Sequence, residues 1–534
     1  MPAKRGTKPP QLKIQDACRA GNIAAVLAEM RPNMSSAGVQ QQGCLALANL
    51  AEMSDENKVA IARAGGIEAV LAGMGAHGSS AGVQEQGCAA LASLAVNDEN
   101  EAAIAVAGGI EAVLAGMGAH GSSEGVQQEG CFALGNLAGN EANVAAIARA
   151  GGIEAVVAGM RAHESIAGLQ MEGCFAFARV SRVAMLEKNT TTIAFAGGIE
   201  AVLAGMRAHG SSDRVQEQGC GALGNLAVKE ENRTAIAEAG GIEAVVAGMR
   251  AHGSSEGVQE QGCSALGNLA ANEENRTAIA EAGGIEAVVA GMRAHESSAV
   301  VQERGCSALR NLARNDDFKT AIARAGGIEA TVAGMRAHRS IAGLQMEGCS
   351  ALRNLALNDE NRTAIARAGG IEAVVAGMRD HTPIFEVQET GCAALGNLSF
   401  NNNENKTVIA RAGGIEAVVA GMGRHRSILL VQQKGCWALA NLAVEAVNKT
   451  AIARAGGIEA VLAGMKAHPT IVGVQQTGCR ALRKLASNND ASRIAIAGAG
   501  GIAAVVAGMG AHTSIAGVEK EGRLALKILE FRND

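Results

Sequence analysis

The stretch NEENRTAIAEAGGIEAVVAGMRAHESSAVVQERGCSALRNLA, Asn272 to Ala313, decides the fold. Asn272 can cap a helix whose first turn carries Glu273 and Glu274, an arrangement that suits the orphan amides and the helix dipole. That helix is short, because Gly283 and Gly284 tolerate the left-handed backbone of a C-terminal cap and let the chain turn sharply. A second helix follows at once. Its Ile285, Val288, Val289 and Met292 fall at i, i+3, i+4 and i+7 on one face, and His295 marks its end. After the polar loop Glu296-Ser297-Ser298, a third helix carries Val301, Gly305, Ala308, Leu309 and Leu312 as its core stripe.

Outward from this copy, the Gly-Gly-Ile signature recurs at Gly65, Gly108, Gly151, Gly197, Gly240, Gly283, Gly326, Gly369, Gly413, Gly456 and Gly500. The period is 43 residues, stretched to 44 or 46 in places, and a degenerate copy at Gly21-Asn22-Ile23 makes twelve. Three such helices cannot bury their apolar faces alone, so each unit must stack on its neighbours into one continuous core. The expectation is an all-α solenoid over residues 15–534, preceded by a basic, disordered tail over residues 1–14.

The unit resembles the armadillo repeat. The resemblance rests on an NEENR-like first helix, an AGxI junction and a VQExAxxALxNLA-like third helix, in order, about a dozen times. HEAT repeats are the second reading, and the three-helix unit with its Gly junction speaks against them. The resemblance implies a right-handed alpha-alpha superhelix of about twelve three-helix repeats whose third helices line a concave groove.

Composition agrees with closely packed helices. Hydrophobic residues make up 48 % of the 534, but aromatics only 2 %, with no Tyr and one Trp, so the buried material is small and aliphatic. A net charge of −5 gives no global footprint for nucleic acid, which is not expected as a partner. The N-terminal Lys4, Arg5, Lys8 and Lys13 lack the apolar run of a secretory signal. No stretch approaches 18 uninterrupted apolar residues, so no transmembrane segment is expected, and Pro2 stands where N-myristoylation needs Gly.

Several recurring residues look like chemistry. Cysteine appears once per unit from Cys44, Cys88, Cys131 and Cys174 through Cys479, with Cys18 outside the series and Arg523 in the last unit. Equivalent positions in stacked repeats lie roughly 10 Å apart, whereas a disulfide needs Cα atoms within about 7 Å. Buried reduced thiols are therefore expected, with a cytosolic or nuclear home. All eleven His recur once per unit, from His77 to His512. A ladder spaced by whole repeats cannot supply the convergent ligands of a metal site, and His at a helix C-terminus complements the dipole. The Gly-Gly pairs follow a helix instead of a strand and lack the phosphate-loop spacing. No nucleophile stands out with a base, so the expectation is a non-enzyme without metal, cofactor or small-molecule substrate.

Binding is the remaining chemistry. The resemblance implies that third-helix Asn side chains grip the backbone of an extended peptide, and the matching Asn stands at Asn49, Asn136, Asn225, Asn268, Asn311, Asn354, Asn397 and Asn441, eight of twelve units. The alternative is that Asn merely ends or solvates the helix. Nuclear-import adaptors of the family pair that Asn with a Trp four residues earlier. Only Trp437 with Asn441 reproduces the pair, and their long Arg-rich N-terminal segment is missing.

Charge on the groove positions is uneven. The first half offers Glu85, Glu129, Glu172, Glu217 and Glu260 against Arg179. The second offers Arg304, Arg310, Arg353, Lys434, Arg480, Arg483, Lys484, Lys520 and Lys527 against Glu303, Glu347, Glu389 and Glu521. An acidic or phosphorylated segment would be drawn to the second half through Arg310, Arg353, Arg480 and Lys484, unless this is only a solvated face. Departures from the repeat add candidates: Phe175, Phe177, Arg179 and Arg182 before an irregular stretch from Met185 to Thr192, the loop Asp380 to Phe385, and Trp437.

Three functions stay open. The chain is expected to be a protein-binding scaffold or adaptor that holds extended, acidic segments of partner proteins. The others are a cargo adaptor of the nuclear-import type and a regulatory repeat subunit of a ubiquitin ligase or kinase assembly.

Overall fold

A computed structural model describes residues 8–182 and 187–530, with the side chains of residues 187–190 excepted. Among the described residues there are thirty-six α-helices, α1 to α36, and no strand. They fall into triplets. The copy around Asn272 reads α19 (Glu273–Glu281), α20 (Gly284–Ala294) and α21 (Ala299–Leu312). The triplet α1 (Pro10–Arg19), α2 (Ile23–Met30), α3 (Ala37–Met53) is the degenerate first copy, which makes twelve. Helix α1 opens at Pro10, inside the span expected to be a tail, and residues 1–7 lie outside the described residues. The expected irregular stretch from Met185 to Thr192 is corrected over its described part, because α13 spans Glu187–Phe195; Met185 and Leu186 lie outside the described residues.

The chain divides into two units, Met1–Gly284 and Ile285–Asp534. In unit 1 the third helices α3, α6 (Ala81–Leu94), α9 (Glu124–Leu137), α12 (Ala167–Arg182), α15 (Asp213–Leu226) and α18 (Glu256–Leu269) pack on one another in sequence. In unit 2 the same holds for α21, α24 (Ala342–Leu355), α27 (Phe385–Ser399), α30 (Leu429–Leu442), α33 (Val472–Ala486) and α36 (Ala516–Leu529).

Glycine decides two joints of each repeat. The first Gly of the pair is left-handed, as at Gly240 with φ +80°, which lets the second helix start immediately. The second Gly abuts the preceding helix: a Cβ on Gly241 would stand 2.7 Å from the Ile236 carbonyl oxygen. On the third helix, the Gly before each Cys receives the Met of the second helix, and a Cβ on Gly262 would meet Met249 Sδ at 2.7 Å. The core is then Val, Leu, Ala and Cys at full burial, for example Val258, Cys263, Leu266 and Leu269.

Three polar ladders run along the repeats, one tying the second helix to the third within each copy and two crossing from copy to copy. The recurring Gln84, like its counterparts, donates from Nε2 to Met74 O at 2.9 Å and His77 O at 3.1 Å, carbonyls at the end and cap of the second helix. His252 donates from Nε2 to Gly210 O of the preceding repeat at 2.8 Å, which fixes the Nε2–H tautomer. His is thus a bridge between repeats as well as the residue ending the second helix. The third ladder is the Asn series.

Candidate functional site

One face of the third helices in unit 2 holds most of the residues singled out by sequence. Its Asn side chains, Trp437, Arg310, Arg353, Arg480 and Lys484 are half-buried, except the buried Asn354. Asn354 donates from Nδ2 to Arg310 O at 2.9 Å, Asn397 to Arg353 O at 2.7 Å and Asn441 to Gly396 O at 3.0 Å. In unit 1 Asn136 donates to Ala92 O at 3.1 Å, Asn225 to Ala178 O at 2.9 Å and Asn268 to Gly224 O at 2.9 Å. Asn311 occupies the same place on α21, half-buried. In each of these six bonds the acceptor is a carbonyl of the preceding third helix, so one amide hydrogen is committed to stacking. The Oδ1 and the second N–H of each amide stay outside that bond. Asn49, on the first of the third helices, is exposed.

Trp437 sits half-buried on α30, its ring lying where a Cβ on Gly396 of α27 would fall. The absence of a side chain at Gly396 makes the seat. Phe175 uses Gly135 in the same way in unit 1, with its ring centroid 6.2 Å from that of Phe132. Beside Trp437 opens a cavity of about 360 Å³. Trp437, Leu357 and Ala393 give it an apolar wall, Asn354 and Asn397 line it with amides, and Arg353 and Lys434 bring positive charge.

The other basic candidates divide by their partners. Arg310 Nε pairs with Glu347 Oε2 at 3.0 Å. Arg480 and Arg483 both reach Glu521, at 3.2 and 2.9 Å. Arg310 is balanced by its own carboxylate, whereas Arg480 and Arg483 share one and keep a single net positive charge between them. Arg353 has no carboxylate bond among the described residues. It donates from Nε to Asn354 Oδ1 at 3.2 Å, and burial holds its guanidinium below the usual arginine range, opposed by Glu389. Lys434 and Lys484 have no ion pair among the described residues, and both are half-buried. The basic candidates without an ion pair among the described residues are therefore Arg353, Lys434 and Lys484 with the exposed Arg304, Lys520 and Lys527, and of these Arg353 and Lys434 focus their charge on the Trp437 cavity. The sequence did not disclose this focus, because it hides which arginines find a glutamate one repeat away.

In unit 1 the same face is acidic, and its carboxyls raise one another. Burial, then repulsion from Glu85 and Glu52, pushes the Glu129 carboxyl up. Burial and Glu129 push Glu172 up to about 7, against the pull of Arg214. The recurring cysteines are free thiols, all buried except the half-buried Cys18, and burial pushes Cys44 up to about 12. Among the described residues no group of three or more His, Cys, Asp or Glu could hold a metal ion.

The family model of the LRRK2 ARM repeat matches residues 21–370 and 199–532. Among solved structures, an engineered protein from a structural genomics consortium is similar at 30 % identity with TM-score 0.65, over 77 % of this chain and 96 % of that one. Another comes from a study of a phosphorylation switch that controls the interaction between cadherin and beta-catenin. It shares the fold at TM-score 0.65 and 16 % identity, over 88 % of this chain and 91 % of that one. No curated protein sequence matches the chain.

Proposed function

Because the chain belongs to the armadillo (ARM) repeat family, we propose that it is a non-catalytic scaffold or adaptor that holds an extended, acidic segment of a partner protein on the third-helix face of unit 2. The observation that carries the reading is the Trp437 cavity. It combines an apolar wall, amides with acceptor and donor capacity to spare, and two cations without carboxylate bonds. An extended segment offers alternating side chains and free backbone groups, so an apolar residue can fill the cavity while its carboxylate neighbours meet Arg353 and Lys434. Aromatic and arginine anchors dominate the energetics of such interfaces. The buried free thiols support a reducing, cytosolic or nuclear setting.

Trp437 is the sole tryptophan, so its fluorescence reports on the cavity. Titration with a synthetic peptide alternating leucine and glutamate is expected to shift its emission, with affinity falling as salt rises. Replacing Arg353→Gln and Lys434→Gln together is expected to weaken binding by about tenfold or more. Binding that leaves Trp437 emission unmoved and ignores the double substitution would overturn the reading.

A further inference from the structure

On the edge of unit 2 where second helices hand over to third helices, the capping residue changes character. In unit 1 Ser123, Ser212 and Ser255 cap the third helix by accepting from Val126, Val215 and Val258 N–H at 3.5, 3.4 and 3.5 Å. Ser298 does the same for Val301 at 3.3 Å. In the next five repeats the N-cap is Ile341, Ile384, Ile428, Ile471 and Ile515, none with a side-chain cap bond. Serine is among the best N-caps and isoleucine among the worst, so five successive helices forgo a contact that the same fold uses elsewhere. Unit 1 has a single isoleucine at this place, Ile166.

The change extends beyond the cap. The next two positions bring Phe385, Leu429 and Leu430, where unit 1 has Glu124-Gly125, Asp213-Arg214 and Glu256-Gly257. Ile341 and Ile384 are each 38 % exposed, Phe385 39 %, Leu429 40 % and Leu430 38 %, so these side chains protrude from the edge instead of closing the core. Helices α24, α27 and α30 are consecutive neighbours, and their N-termini form one row. The charges beside the row are mostly basic. Arg339 is tied to Asp380 at 2.7 Å and adds no net charge. Arg424 and Arg426 are exposed next to Leu429, with no ion pair among the described residues, and Glu386 is the acid in the row.

We propose that this row docks unit 2 onto an anionic bilayer surface. The five protruding side chains stand on three successive helix ends, roughly 10 Å apart, a spacing of separate tips that can enter the boundary between headgroups and acyl chains, whereas a partner helix needs a continuous groove. The two unpaired arginines meet lipid phosphates from the same edge. The surface is peripheral: among the described residues no single helix is long and apolar enough to cross a membrane. It is also independent of the Trp437 cavity, since it is built from the N-termini of the third helices and uses none of the cavity's residues.

The test is sedimentation of the full chain with vesicles of phosphatidylcholine alone or mixed with phosphatidylserine. The protein is expected to follow only the mixed vesicles and to be released by salt. The combined variant Ile341→Ser, Ile384→Ser, Ile428→Ser returns the hydroxyl caps, so its melting temperature should hold or rise while the ratio of bound to free protein falls about tenfold. A second variant, Phe385→Ser with Leu429→Ser and Leu430→Ser, should lose binding likewise. The proposal is overturned if the parent ignores the mixed vesicles, if both variants sediment as it does, or if the serine-capped variant melts lower, which would make the isoleucines structural. Loss of an acidic helical peptide by the variants, with vesicles ignored by all, would make the row a protein surface and equally overturn it.

Discussion

At the scale of single residues, the repeat converts a few side chains into connectors whose role depends on the neighbouring copy. Glu172 shows the cost of lining up like residues. Its carboxyl titrates near 7, chiefly because it is buried and next because Glu129 lies one repeat away. The native pKa is above the unfolded value near 4.5, so the native state holds the extra proton between the two. The contribution of this group to stability is therefore fullest below about pH 4.5 and is lost as pH rises through about 7, a change of about 1–3 kcal/mol after allowing for solvent screening. Glu172→Gln is expected to flatten this segment of the melting-temperature profile and to stabilise the protein at pH 8. An unchanged profile would show that the carboxylate is solvated.

Elements are set by where glycine is required and where it is incidental. Helix α5 (Gly66–Ala76) contains both kinds. A Cβ on Gly66 would stand 2.8 Å from the Ile61 carbonyl oxygen, a backbone atom that cannot move aside, whereas one on Gly75 meets nothing within 4 Å. Gly66→Ala should therefore destabilise by about 1–3 kcal/mol. Gly75→Ala should stabilise by about 0.5–1 kcal/mol, because alanine lowers the entropy of the unfolded chain and favours the helix. Chemical denaturation of the two variants separates them by sign. The pairing of helix and glycine was legible in sequence, since Gly283-Gly284 and its copies stand between two apolar periodicities. The start of α13 at Glu187 was not, because Lys188 to Thr192 carry no apolar period.

At the scale of the whole molecule, stacking leaves no room for chemistry at the constant positions. Twelve cysteines are present, yet all but Cys18 are buried and none is bridged. A thiol reagent added to the native protein should modify one cysteine, and after denaturation twelve. Rapid native modification of more than one would mean that the core opens locally. The sequence by itself determined the all-helical repeat, its count of twelve, the helix boundaries of the regular copies and the burial of Cys, Met and Gly, because these follow from periodicity and capping inside a single 43-residue unit. What only the tertiary structure decided are the bonds that cross from one copy to the next. Asn donates to the carbonyl of the preceding third helix, His to that of the preceding loop, Arg310 finds Glu347, and Arg480 finds Glu521. Those pairings depend on how two copies are rotated and offset against each other. They leave Arg353 and Lys434 without a carboxylate bond beside Trp437 in one cavity, a distinction that residue identity within one repeat does not contain.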